Sequence, residues 1–249
     1  MEARPENRLR ELRRRNGKAG AVRAALMVAA PLAAGAWMRL WMLKAFPQIS
    51  GDTLVYGGLA KNLLLHGRFA LTDGSGALHE TLIRLPGYPL FLAACFRLFG
   101  VDNYDAVACV QIGLELLGCL LLADFVRRIA SDGAALATLW LAALCPFTAS
   151  YASAPLTETA TLFAIALALW ATGRFNARPG WGSALWFTFA VTFAALLRPD
   201  GALVGVVLAP GLLMGSWGKA SERHPSGAKQ AAEKPNDVSA RRFCNRKTQ

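Results

Sequence analysis

Charged side chains that could perform acid, base or anion-binding chemistry occur in three separate segments of this sequence. They are Asp52, Glu80 and Arg84 in the first, Glu158 in the second, and Arg198 with Asp200 in the third. Carboxylates can exchange a proton, and guanidinium groups can bind an anion. Together the six residues have the composition of a site, provided that the rest of the chain brings them to one side.

The composition indicates a membrane protein. Of the 249 residues, 54% are hydrophobic and 17% are charged, and the mean hydropathy is +0.33. The net charge of +11 does not indicate nucleic-acid binding, because the basic residues gather at the chain ends and beside apolar runs. The five cysteines show no C-x-x-C spacing, so we expect neither a disulfide framework nor a metal site on them. No cofactor is expected, and the sequence contains no ligand cluster that would decide whether a divalent metal is needed.

About six apolar runs have the length of a membrane-spanning helix, which needs roughly 20 residues. They cover residues 21–43, 104–126, 133–151, 157–172, 181–197 and 201–217, the last being short. A further run, 88–99, is too short to cross and favours a helix at the membrane surface. The sequence therefore predicts an all-α, polytopic membrane bundle.

The lysines and arginines predict the orientation of this bundle. A basic segment, residues 1–20, precedes the first run and places the N-terminus in the cytoplasm, with the run acting as an anchor rather than a cleaved signal. Later basic clusters then fall on the same side if 88–99 does not cross; they contain Arg127, Arg128, Arg174, Arg178, Lys219 and Arg223. The predicted organisation is a basic segment 1–20, a bundle 21–217 with an outer loop 46–103, and a disordered cytoplasmic tail 218–249.

The outer loop is predicted to contain two helices at the membrane surface. Apolar residues recur at three- and four-residue spacing after Asp52, and Gly67 is suited to ending that helix. Pro86 and Pro89 prevent regular structure before the second helix, which begins near Tyr88. All six charged residues then lie on the outer side.

Each of these residues also has a structural interpretation. Asp52 could be the N-cap of its helix, and Glu158 could be a first-turn acid after an N-cap Thr157. Arg84 and Arg198 could extend to lipid headgroups. Glu115 lies near the middle of the second predicted span, so it must face the bundle, pair or be protonated, and Gln111 is a candidate partner.

Three segments resemble a known family. GDTLVYGGLAKNLLLHGRFA, RLPGYPLFLAACFRLFG and PLTETATLF resemble the N-terminal half of bacterial GT-C glycosyltransferases that use polyprenyl-phosphate sugars. The similarity is to mannosyltransferase-like families (families 39 and 83), including those that modify lipopolysaccharide or proteins. It covers roughly residues 21–213.

The resemblance implies transfer of a hexosyl or pentosyl group at the outer face of the inner membrane. The sugar would pass from a polyprenyl phosphate to a glycan, lipid or protein acceptor. Asp52 would correspond to the family's first outer acid, acting as base or orienting the acceptor, and Glu158 to the second acid. Arg84 and Arg198 would bind the donor phosphate.

GT-C enzymes generally have more spans than this sequence predicts. We therefore expect either a glycosyltransferase, complete or as an N-terminal half, or a non-catalytic membrane protein that is a remnant or partner of a fuller enzyme. The expected partners are membrane lipid, a polyprenyl-phosphate sugar and an acceptor, with no nucleic acid.

Overall fold

A computed structural model describes residues 5–46, 49 and 51–223, which form nine α-helices, one 3₁₀ turn and one β-hairpin. The helices are α1 (Pro5–Ala45), α2 (Asp52–His66), α3 (Gly87–Phe99), α4 (Tyr104–Ile129), α5 (Asp132–Ala143), α6 (Pro146–Ala152), α7 (Thr157–Ala177), α8 (Trp181–Leu197) and α9 (Ala202–Arg223). The hairpin pairs β1 (Ala70–Thr72) with β2 (Leu78–Glu80), and the 3₁₀ turn is Pro199–Gly201. The predicted all-α membrane bundle is confirmed, with a small hairpin added.

Three helices of the described chain are long and apolar enough to cross a membrane: Val22–Ala45, Tyr104–Ile129 and Thr157–Ala177. The pair α5 and α6 would make a fourth span, although the two helices meet at 54°. Trp181–Leu197 and Pro199–Leu212 are apolar but shorter. Many large apolar side chains on these helices are exposed, as surfaces facing lipid would be.

The break between α5 and α6 has a local cause. Pro146 lacks a backbone N–H and begins α6, so the helix cannot continue through it. The carbonyl of Ala143, the last residue of α5, accepts a hydrogen bond from Arg39 Nη1 at 2.5 Å. The arginine thereby holds the end of α5 against α1.

Arg39 also forms a buried ion pair with Glu115. Their side chains are 0% and 5% exposed, and Arg39 Nε and Nη2 donate to the two carboxylate oxygens, the second at 2.5 Å. Glu115 therefore faces the bundle and pairs as predicted, but its partner is Arg39. Gln111 instead accepts from Tyr88 Oη at 2.5 Å and donates to the Ala154 carbonyl at 3.0 Å.

The outer loop contains the two predicted helices, α2 and α3, packed on each other. Gly67 ends α2 in the left-handed conformation, with φ 65°, as predicted. The link between the helices is the β-hairpin, which the sequence did not predict; Asn62 of α2 donates to the Ala70 carbonyl at 2.8 Å and fixes its position. Buried Tyr88 and Leu92 of α3 join a core shared with α2, α4, α7 and α8.

The charged groups separate to the two ends of the bundle. Helix α7 has 21 residues and is therefore roughly 30 Å long from end to end. Glu158 lies in the first turn, and Arg174 lies in the last. The cluster at the first end is Asp52, Arg84, Glu158 and Arg198 (the Asp52 end), and the cluster at the other is Arg127, Arg128, Arg174 and Arg178 (the Arg128 end).

Two of the expected domain boundaries fall inside helices. Helix α1 begins at Pro5, within the predicted basic segment, although its apolar part begins at Val22. Helix α9 continues to Arg223, past the point where the tail was predicted to begin. Residues 224–249 of the predicted disordered tail lie outside the described residues.

The predicted orientation can be checked by cysteine labelling. In the hairpin turn, Ser75 is exposed, and Gly180 at the Arg128 end has open space where a side chain would begin. We expect Ser75→Cys to react with an impermeant maleimide in intact cells, above the wild-type signal. Gly180→Cys should react only after permeabilisation; the reverse pattern would contradict a cytoplasmic N-terminus.

Candidate functional site

The first pair of the candidate site joins the beginning of α2 to the segment before α3. Arg84 Nη2 donates to Asp52 Oδ1 at 2.6 Å, and the two side chains are 32% and 56% exposed. The hydrogen bond that Arg84 donates to Asp52 raises the pKa of Arg84. This bond uses one donor of the guanidinium; Nε is buried and has no acceptor among the residues described, while the side chain as a whole is 32% exposed. The pair therefore retains capacity to bind an anion.

The second pair joins α7 to the turn after α8. Arg198 Nη1 donates to Glu158 Oε1 at 3.3 Å, while Arg198 Nε donates to Asp200 Oδ1 at 3.2 Å. Arg198 is 43% exposed, and its two partners leave part of the guanidinium open to solvent. Each predicted arginine thus contacts one of the two predicted catalytic acids.

Tyr56 connects the two pairs. It lies four residues after Asp52 on α2, and Arg84 lies over its ring at 5.7 Å from the centroid. Burial raises the pKa of Tyr56, the charges of Arg84 and Arg198 lower it, and those of Asp52 and Glu158 raise it. All four predicted residues are therefore within electrostatic reach of one phenol.

Two adjoining cavities lie at this cluster. The first, of about 220 Å³, is lined by Asp52, Thr53, Tyr56, Ala154, Leu156, Thr157 and Glu158. The second, of about 410 Å³, is lined by Tyr151, Glu158, Thr161, Leu162, Arg198 and Asp200. Glu158 belongs to both. A small polar group in the first cavity could contact both acids, and the second cavity alone has the roughly 300 to 1,000 Å³ of usual ligand sites.

A third, apolar cavity of about 450 Å³ shares one lining residue with the second. Leu162 lines both, and the remainder of the third cavity follows α4 to α7 with Leu122, Leu141, Phe163, Ile165 and Leu169 in its wall. Glu115 also lines it, but its charge is paired with Arg39. Through these shared wall residues, the charged cavities at the Asp52 end neighbour an apolar groove between the spans.

A close backbone contact places Arg84 near Arg198. A side chain built on Gly87 would lie 2.6 Å from the carbonyl oxygen of Leu196, so only glycine permits this approach. Gly87 is three residues after Arg84, and Leu196 is two residues before Arg198. The glycine of RLPGYP therefore packs α3 directly on the end of α8.

Tyr88, the tyrosine of the same segment, helps to hold the wall of the first cavity in place. Tyr88 and Gln111 are both fully buried. Through its bonds to Tyr88 and to the Ala154 carbonyl, Gln111 ties α3 to the turn before α7. Ala154 lines the first cavity, so this network fixes part of the site.

Neither of the two predicted N-caps, Asp52 for α2 and Thr157 for α7, is the observed one. Gly51, not Asp52, is the N-cap of α2, and Asp52 is the first helical residue. Leu156, not Thr157, is the N-cap of α7, because the helix already includes Thr157. Both carboxylates are directed to arginines, although Glu158 does lie in the first turn as expected.

Glu80 does not join the site. It pairs with Arg68 at 2.8 Å beside the hairpin, where both side chains are more than half exposed. Within residues 5–46, 49 and 51–223, no group of three or more histidine, cysteine or acidic side chains could hold a metal ion.

Sequence reasoning missed Tyr56 and Arg39. Tyr56 was recognised only as an apolar position, although its spacing of four from Asp52 places both on one helix face. Arg39 stands within the first apolar run, where an ionisable residue indicates a buried partner.

Comparison with known proteins identifies the family. Residues 84–228, more than half of the chain, match the family model described as dolichyl-phosphate-mannose-protein mannosyltransferase. The matched range includes Arg84, Glu158 and Arg198, while Asp52 precedes it. Searches of curated proteins and of solved structures gave no match. The chain is therefore a multi-pass membrane protein that belongs to the dolichyl-phosphate-mannose-protein mannosyltransferase family, a family of GT-C-type membrane glycosyltransferases.

Proposed function

We propose that this protein transfers a sugar from a polyprenyl phosphate to an acceptor hydroxyl at the Asp52 end of the bundle, on the outer face of the inner membrane. The observation that carries the proposal is the pairing of two acids with two arginines around adjoining cavities. Acids and guanidinium groups are what such a transfer requires, since a proton must be accepted and a phosphate must be stabilised.

In the proposed reaction, the acceptor oxygen attacks the anomeric carbon of the sugar. The bond between that carbon and the phosphate oxygen breaks, and its electron pair leaves with the polyprenyl phosphate. Asp52 takes the proton of the acceptor hydroxyl, and Glu158, which lines both cavities, orients the sugar or acceptor. Attack opposite the leaving phosphate inverts the anomeric configuration.

Asp52 can act as the base once Arg84 exchanges it for the donor phosphate as its ion-pair partner. In the structure, Arg84 neutralises Asp52 through a bond of 2.6 Å. A donor phosphate at the cavity would compete for Arg84 and leave the carboxylate free to accept a proton. Arg198 is the second cation that offsets the charge of the leaving phosphate.

The apolar groove provides a place for the lipid of the donor. It shares Leu162 with the second cavity, and most of its wall is apolar, with leucine, isoleucine and phenylalanine among its residues. Pairing of Glu115 with Arg39 leaves no unpaired charge from these two residues beside a hydrocarbon chain. The head and tail of a polyprenyl phosphate thus have neighbouring sites of matching polarity.

Donor binding can be tested with polyprenyl phosphate alone. Arg84→Gln should weaken its binding to the purified protein by about tenfold, because a hydrogen bond to a charged group contributes roughly 1.5 to 3 kcal/mol. Arg68→Gln is the matched control, since Arg68 belongs to the same loop but pairs with Glu80. An equal effect of the two substitutions would contradict the assignment of Arg84 to the phosphate.

A further inference from the structure

A fourth cavity, with a positive charge, lies at the Arg128 end of the bundle. It is at the opposite end of α7 from the candidate site, and the helix is roughly 30 Å long. The volume of the cavity is about 790 Å³, and it lies where α4 and α7 end and α8 begins. The residues that define its chemistry are Arg128, Trp170, Arg174, Arg178, Ser183 and Trp186. The proposed transfer reaction uses none of these residues.

The cavity is positively charged. Among the residues whose side chains are described, no acidic residue lines it, and the carboxylate of Asp124 contacts its wall at Arg128 and Trp170. Asp124 is fully engaged: Arg127 and Arg128 donate to it at 2.6 and 2.7 Å, and Trp170 Nε1 donates at 3.0 Å. Its single negative charge can balance the positive charge of one arginine, so the cavity wall keeps a net positive charge.

Among residues 20, 22–46, 49 and 51–212, whose side chains the structure describes, the other two arginines of the wall have no carboxylate partner. Arg174 stacks on the ring of Trp170, with its guanidinium carbon 4.9 Å from the centroid. Arg178 follows directly after α7 and is exposed. Two guanidinium groups with unused donors therefore face one cavity, which is an arrangement suited to phosphate oxygens.

The beginning of α8 adds to this preference for an anion. Gly180 and Gly182 line the cavity, and the helix begins there without a side-chain cap. The first amides of an uncapped helix carry partial positive charge and can donate to phosphate. Backbone and side chains at this rim thus favour the same kind of ligand.

The surroundings of the cavity indicate the source of that phosphate. Trp181, Leu185, Trp186 and Phe189 of α8 are at least half exposed beside it, and they form an apolar surface that begins at its rim. Tryptophan is enriched at the boundary between headgroups and hydrocarbon. A ligand with a phosphate and adjoining acyl chains matches both the arginine-lined cavity and the apolar surface of α8. A soluble phosphate compound matches only the cavity.

We propose that the cavity at the Arg128 end binds the phosphate headgroup of an anionic membrane phospholipid, with the acyl chains lying on the exposed apolar side chains of α8. Basic pockets between helix ends are known to bind such headgroups. On the predicted orientation this lipid belongs to the cytoplasmic leaflet.

Native mass spectrometry of the full chain tests this site with dioleoyl phosphatidylglycerol as the probe and dioleoyl phosphatidylcholine as the neutral comparison. The wild type should retain one phosphatidylglycerol in preference to phosphatidylcholine. Arg174→Gln and Arg178→Gln should each weaken retention about fivefold, as expected for roughly 1 kcal/mol per arginine. The double variant should show both losses.

Arg127→Gln is the matched control. Arg127 lies at the same end and carries the same charge, but it does not line the cavity. Equal weakening by this control would show only general attraction to anionic lipid and would overturn the proposed site, as would equal retention of phosphatidylcholine. Complete displacement of the lipid by an excess of inorganic phosphate would overturn its assignment to a lipid.

Discussion

Replacing Asp52 with asparagine is expected to lower the rate of sugar transfer by about 100-fold or more, since a positioned base typically contributes 10² to 10⁴. The amide can still hydrogen-bond but cannot accept the acceptor proton. Because Asp52 is more than half exposed and pairs at the surface, the folded state should keep its thermal stability. The test measures release of polyprenyl phosphate by the purified variant in lipid. The unfolding temperature of the same variant is measured in parallel.

Asp102→Asn is the control for this substitution. Asp102 is also an exposed acid in the predicted outer loop, and it pairs with Lys61 at 2.5 Å. Its backbone is left-handed, with φ 62°, a conformation that asparagine adopts readily. Activity should be unchanged by this substitution. Equal turnover of the wild type and Asp52→Asn would remove Asp52 from the proposed mechanism.

The largest expected effect on stability comes from breaking the ion pair of Arg39 and Glu115. Arg39→Leu should lower the free energy of unfolding by roughly 3 to 5 kcal/mol, because it leaves a buried carboxylate without a partner. It also removes the donor to the Ala143 carbonyl at the break between α5 and α6. Denaturant unfolding in detergent micelles, followed by circular dichroism, measures the loss.

Two further variants separate this effect from a general response to losing an arginine. Arg68→Leu breaks an exposed ion pair and should cost less than about 1 kcal/mol. The double variant Arg39→Leu with Glu115→Leu removes both charges and should recover much of the stability lost in the single variant. A single Arg39→Leu variant as stable as Arg68→Leu would contradict the role of the buried pair.

Local signals in the sequence were enough to predict the helices. The apolar runs correspond to α1, α4, α7 and α8, and Gly67 ends α2 as its backbone freedom predicts. The bend at Pro146 and the three-residue strands of the hairpin were missed. A proline within an apolar run leaves overall hydropathy unchanged, and such short strands are specified mainly by contacts such as that of Asn62 with Ala70.

Pairings between distant residues were harder to predict than helices. For Glu115 the sequence offered only the local candidate Gln111 as a partner, whereas the observed partner is Arg39, which is 76 positions away in sequence. The same limit applies to the candidate site. Topology placed Asp52, Arg84, Glu158 and Arg198 on one side, while the pairing of each acid with an arginine follows from packing, including the contact of Gly87 with α8.

The most direct test of the proposed function measures both products of one reaction. Purified wild-type protein in lipid, supplied with a polyprenyl-phosphate sugar and an acceptor, should form polyprenyl phosphate and glycosylated acceptor in equal amounts, with the anomeric configuration inverted. Mass spectrometry of the lipid and acceptor fractions quantifies both. Binding of polyprenyl phosphate without formation of either product, across the sugars and acceptors offered, would contradict the claim that this site performs the transfer.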